Sequence, residues 1–137
     1  MRHNHPFFRT ALGGSLYCLL EILWRGYTHI SMFFVGGFCF RLLSRIGRMP
    51  LPFWKRCLLG SGAVTATEFC SGLVLNRLLH LQVWDYSRLP MNLLGQICLP
   101  FTLLWIPISG AAMLLARLLD RIPLRAVPPA RLPGEDR

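Results

Sequence analysis

With 137 residues, 53% of them hydrophobic, and a mean hydropathy of +0.45, the chain is one domain and too apolar for an ordinary soluble protein of its size. Its formal charge of +9 comes from basic residues placed between and beyond the apolar runs, which is the membrane pattern; no RNA- or DNA-binding signature accompanies them, so nucleic acid is set aside as a partner. Five cysteines without a C-x-x-C pair argue against a disulfide framework and a structural zinc site, and read as small apolar packing residues.

Met1 to Arg9 is a short basic leader. Its His3 and His5 have no third ligand nearby, so they read as part of a solvated cationic end and no metal is assigned. The first span is predicted from about Phe7 to Arg25. Glu21 interrupts its apolar run and no A-x-A-like cleavage site follows, so it is read as a retained span and not a signal peptide. Thr10, Gly14, Tyr17, Glu21 and Arg25 share one face of it. Glu21 and Arg25 are also an i,i+4 pair with the acid on the favourable N-terminal side. A helix-end ion pair is one reading of Glu21, and a functional acid is the other.

The second span, about His29 to Leu43, is short, and its Gly36-Gly37 pair would let another helix approach closely. Gly36, Gly37, Gly72 and Gly95 are the expected helix-packing positions. Exposed glycine faces at Gly13-Gly14 and Gly36-Gly37 are candidate contact surfaces for a second copy or another membrane protein. Pro50 and Pro52 break the helix in the linker Ser44 to Arg56, where Phe53 and Trp54 suit an interfacial anchor.

The third span, Cys57 to Leu79, organises the rest. At about 1.5 Å of rise per residue it would cross a hydrocarbon core of roughly 30 Å and put Glu68 near its middle. An ionised group there costs from about 3 to more than 10 kcal/mol, so it should face protein or water. At 100° per residue Ser61, Thr65, Glu68, Gly72 and Asn76 fall on one narrow stripe, opposite Leu59, Ala63, Cys70 and Val74. His80 to Pro90, which mixes Trp84 and Tyr86 with Asp85 and Arg88, is predicted as an interfacial or re-entrant loop. The fourth span, about Met91 to Leu115, carries Pro100 and Pro107, with Asn92, Gly95, Thr102 and Ser109 roughly on one side. The division expected is a four-span domain over 1–116 and a basic, Pro-rich cytoplasmic tail over 117–137, largely disordered.

The fold class is therefore all-α, a polytopic membrane protein built as a four-helix transmembrane bundle. Of the 15 basic residues, only Arg25, Arg77 and Arg88 fall on one side of that topology, which by the positive-inside rule makes both termini cytoplasmic. Gly26 to Phe40 also aligns without gaps on Asp85 to Leu99, through Tyr27 with Tyr86, Met32 with Met91, Gly36 with Gly95 and Cys39 with Cys98. That echo suggests two pseudo-repeated helical hairpins related by an axis along the membrane normal.

From Glu68 to Trp105 the elements EFCSG, NRLL, VWDYS, PMNLLGQICLPF and LLW occur in order. In these the chain resembles the small bacterial membrane proteins of the putative ABC-transporter type IV, or CmpB-like, family, whose relatives include the transmembrane protein 229 group. The first half matches loosely through Gly14, Glu21 and Gly36-Gly37, and the tail does not match. The resemblance implies a permease component in the bacterial plasma membrane. The chain has no G-x-x-x-x-G-K-[ST] loop, so an ATPase would be a separate protein.

If the stripes face inward, the bundle interior gathers Glu21, Glu68, Asn76, Asn92, Thr65 and Gln96, with Asp85 and Tyr86 capping it from outside. Three readings of this set stay open. A buried carboxylate tends to hold a proton unless paired, so Glu68 can be a proton or cation site of a transport component. It can instead hydrogen-bond to Asn76, Asn92 or Arg77 and fix helix packing in a structural or accessory subunit. Catalysis by Glu68 or Asp85 lacks a completing His or nucleophile, since His29 and His80 lie near span ends, so no enzyme and no cofactor are assigned. Four short helices enclose little volume, so transport would require a homo-oligomer or a partner in the bilayer.

Overall fold

The computed structural model describes residues 6–122. The histidine pair of the leader and the proline-rich end of the tail lie outside them. Four helices follow one another: α1 (Pro6–Arg25), α2 (Ile30–Ile46), α3 (Phe53–Gly72), which runs on as a π-helical stretch over Leu73–Leu78, and α4 (Leu99–Arg121). Two of them, Phe53–Leu78 and Leu99–Arg121, are long and apolar enough to cross a membrane. The 17 residues of α2 would span only about 25 Å, and α1 carries Arg9, Glu21 and Arg25.

Local chemistry sets the boundaries. Pro6, with no N–H to leave unpaired, opens α1. His29 caps α2 from an extended backbone, its Nδ1 accepting the Ser31 amide at 3.2 Å. Pro50 and Pro52 confine the break between α2 and α3 to residues 47–52. The fourth helix departs from the sequence reading: it begins at Leu99, not near Met91. Pro100 is at home only in a first turn, so it marks the start of α4 and does not interrupt it, whereas Pro107 lies inside. Asn92 and Gly95 consequently belong to the long non-helical loop 79–98. Gly95 is there because its φ of +71° needs glycine, not because a helix packs on it. At the other end, Arg117 to Arg121, assigned to the tail from sequence, complete the last turn of α4.

The same boundary overturns the pseudo-repeat. Ile30 to Phe40 is helical, whereas its aligned counterpart Leu89 to Leu99 is loop until its last residue. The matched glycines differ likewise, Gly36 at a helix crossing and Gly95 at a turn.

α2 is the central helix, packed on α1, α3 and α4, and α3 packs on α4; backbone to backbone, α1 packs on α2 alone. That crossing is made by glycines. A Cβ added at Gly36 would overlap the Tyr17 side chain, one at Gly37 would meet the Thr10 carbonyl at 2.5 Å, and Gly13 and Gly14 sit as tightly against Phe40 and Phe33. The glycine faces expected to receive another chain are thus consumed within this one. Behind them Cys39, Leu43, Ile46, Val64 and Met113 form the core, and all five cysteines are free.

The end at which α1 and α3 start and α2 and α4 finish is tied by arginines. Arg9 pairs with Asp120, which also takes Arg48 at 3.4 Å. Arg56 and Arg117 both donate to the Gly47 carbonyl at the C-terminus of α2, where the helix dipole favours cations. The outward faces stay apolar: Phe7, Leu23, Trp24, Ile30, Phe34 and Leu78 are 64% to 82% exposed.

Candidate functional site

The polar stripe of α3 meets protein along its whole length. Ser61 Oγ donates to the Thr102 carbonyl at 2.5 Å, Thr65 and Thr102 share a hydroxyl bond of 3.2 Å, and Gly72 lies under Gln96 and Trp84. Glu68, in the middle, is 2% exposed. Its Oε1 accepts the Tyr17 hydroxyl at 3.0 Å. No cation pairs with it among the described residues; the ion pairs there belong to Asp120 and Glu21. The second donor facing it is Trp105, whose Nε1 is buried and meets no acceptor in hydrogen-bond geometry. Tyr17 and Trp105 stack on each other with centroids 5.7 Å apart. A carboxylate shielded by one phenol and one indole, without a countercharge, is the chemically unusual group of this molecule.

The other residues anticipated for the constellation do not join it. Glu21 accepts Arg25 at 3.1 Å and Thr28 at 2.6 Å, so the i,i+4 pair forms. Arg25 also donates to the Val83 carbonyl at 2.7 Å and lies over the Tyr27 ring, joining α1 to the loop. Asn76, on the π-helical stretch, donates to Gln96 Oε1 at 2.8 Å and accepts the Val83 amide at 2.7 Å; Trp84 Nε1 closes this knot on the Gln96 carbonyl at 2.9 Å. Asn92 serves the loop alone, donating to the Ser87 and Leu89 carbonyls and accepting the Gly95 amide. Asp85 is exposed, and hydrogen bonds from the Ser87 backbone and hydroxyl hold its carboxyl below the usual range. Among the described residues, none of the three partners considered from sequence, Asn76, Asn92 and Arg77, reaches Glu68 in a hydrogen bond. Among the described residues no group of three His, Cys, Asp or Glu could hold a metal.

The loop itself is strained. His80, Gln82, Met91 and Leu94 all have positive φ without being glycine. Such conformations persist only where surrounding contacts over-determine them, and they gather near working sites. Asn76→Ala should expose that dependence. Leaving the Val83 amide and Gln96 Oε1 without these partners costs about 1–3 kcal/mol, so amide exchange across 80–98 is expected to quicken by roughly 5- to 150-fold while the helices keep their protection.

Beneath the loop, between the second half of α1 and the first turns of α4, lies a chamber of about 440 Å³. Its walls are aromatic: Tyr86 stacks on Phe101 at 4.9 Å, Trp24 meets Phe101 edge-on at 5.8 Å, and Tyr17, Tyr27, Trp84 and Trp105 complete them. Glu21, Arg25, Asp85 and Arg88 supply its charge. Toward the arginine-tied end a second cleft of about 240 Å³, almost wholly apolar, opens between α1, α2 and α4; the two share Tyr17, Leu20, Trp105 and Ile108. Glu68 lines neither. Tyr17 stands between them, its ring in the wall and its hydroxyl on the acid. The sequence reading passed over Tyr17 and Trp105 as site residues, although Tyr17 lay on the α1 stripe one turn before Glu21.

Residues 14–125 match the model of a family described as "Putative ABC-transporter type IV". No curated protein and no solved structure matches the chain.

Proposed function

The chain belongs to the "Putative ABC-transporter type IV" family, and on that footing we propose that it is a small multi-pass membrane component of an ABC-type transport system, with Glu68 as its proton- or cation-responsive group. In this reading all four helices cross the bilayer of a bacterial plasma membrane. The apolar outward faces of α1 and α2 support it, since Phe7, Leu23, Ile30 and Phe34 would otherwise stand in water. Both termini face the cytoplasm, which agrees with the gathering of Arg9, Arg48, Arg56 and Arg117 at one end. Glu68 then lies near mid-bilayer. The observation that carries the proposal is this acid, 2% exposed, with no cation paired to it among the described residues, behind the wall of an aromatic chamber. These 137 residues carry no G-x-x-x-x-G-K-[ST] loop, so in this reading the nucleotide site lies outside them.

A second reading, an accessory subunit without transport of its own, draws on one observation. The Tyr17–Glu68 bond is a bridge between α1 and α3, two helices whose backbones do not pack on each other. Purification of the tagged chain in mild detergent, with identification of what accompanies it, tests assembly. The expected companion is a protein carrying G-x-x-x-x-G-K-[ST]. Recovery of self-copies alone, before and after chemical crosslinking in the membrane, would overturn the transport assignment.

A further inference from the structure

The cleft between α1 and α4 has two unlike halves, and their arrangement describes a ligand. Along α4 its wall is a helical stripe, Phe101, Leu104, Trp105, Ile108, Ala112 and Leu115, about 21 Å from end to end. The inner part offers apolar surface with almost no polar atom. The outer part adds aromatic faces and four charged side chains, two of each sign, with Asp85 and Arg88 at the exposed mouth. Both volumes lie in or near the range of small-molecule sites, and Tyr17 and Trp105 join them into one groove.

We infer that this groove binds a single-chain zwitterionic amphiphile, its acyl chain along α4 and its headgroup under the loop. One acyl chain spans one leaflet, about half of a roughly 30 Å hydrocarbon core, and the groove is at least that long. The headgroup assignment follows from charge. A lining whose positive and negative side chains balance complements a head that carries both signs, and repays neither a bare carboxylate nor a bare ammonium. Arg88, at the mouth, faces the phosphate. The ammonium takes the aromatic faces beside Asp85, as cations do where Trp and Tyr enclose them. Arg25 is occupied by Glu21 and the Val83 carbonyl and holds the loop as a lid on the site. The inference rests on the membrane placement proposed above and not on transport: labelling reads occupancy, co-purification reads assembly, and either can fail alone.

Photolabelling tests it. The full chain is reconstituted in nanodiscs of phosphatidylglycerol and given a single-chain phosphocholine lipid with a diazirine at the end of its acyl chain. Adducts are expected on groove residues such as Ile108 and Leu115, at least fivefold above outward-facing Leu103 and Leu114. Excess unlabelled single-chain phosphocholine lipid should suppress the groove adducts at least fivefold. A fatty acid of equal length, an alkyl trimethylammonium and chainless glycerophosphocholine should leave most of them. Ala111→Trp, an exposed position on the apolar half, should lose the groove adducts. Arg88→Gln should keep them and lose the advantage of phosphocholine over the fatty acid. Equal labelling of groove and outward faces would overturn the site, and equal competition by all three chain-bearing lipids would overturn the headgroup assignment.

Discussion

If the proposed transport role holds, Glu68→Gln is expected to fold and assemble like the wild type and to lose the proton- or cation-dependent activity of the proposed complex with an ATPase. The amide still offers Tyr17 an acceptor in place of Oε1, so the bridge from α3 to α1 persists and the melting temperature should stay close to wild type. What disappears is a group able to take up and release a proton inside the molecule. Glu68→Leu separates the two roles. It strands the Tyr17 hydroxyl in a site with 2% exposure around the replaced side chain, a loss of about 1–3 kcal/mol, and should lower both stability and yield. Measured side by side, ATP hydrolysis by the reconstituted complex and thermal unfolding decide between the readings. Full activity with glutamine would assign Glu68 to helix packing and leave the accessory role.

Gly36→Leu is expected to have the largest effect on the fold. A side chain there must occupy the space of the Tyr17 Cβ and approach the Gly13 carbonyl, and both helices would have to move apart. Overpacking of side chains alone costs about 1–3 kcal/mol; here backbone blocks the relief, so a loss of at least about 3 kcal/mol is expected, against total stabilities of about 5–15 kcal/mol. Because Tyr17 sits on that glycine, the variant should also displace the hydroxyl from Glu68. Gly62→Ala is the control. Nothing lies within 4 Å of a Cβ built there, so it should be neutral or stabilise by up to about 1 kcal/mol through helix propensity. Equal melting of the two variants would show that the α1–α2 crossing is looser than its geometry states.

The residues differ in how far their own sequence neighbourhood reveals them. Ser61, Thr65, Glu68, Gly72 and Asn76 could be assigned to one buried stripe because they lie on a single helix, whose 100° period needs no knowledge of the rest of the chain. Glu21 and Arg25 could be paired for the same reason. Tyr17 and Trp105 could not be placed on Glu68 in that way, being separated from it by long stretches of chain. Asn92 was misplaced because an apolar run around it looks helical, while Pro100 and the left-handed backbone at Met91, Leu94 and Gly95 keep residues 91–98 out of the helix.

Amino-acid order by itself determined an all-helical chain with membrane-like apolar runs, the breaks at Pro50 and Pro52, and the turning of Glu68 toward protein. Hydropathy, proline and helical period act over a few residues and hold whatever packs alongside. Only the tertiary structure decided that the glycine pairs close on each other, that Tyr17 stands between Glu68 and a chamber, and that α1 leans on α2 while leaving a groove beside α4. Those outcomes depend on which faces of separate helices meet, and that is settled by the shape and volume of all of them together.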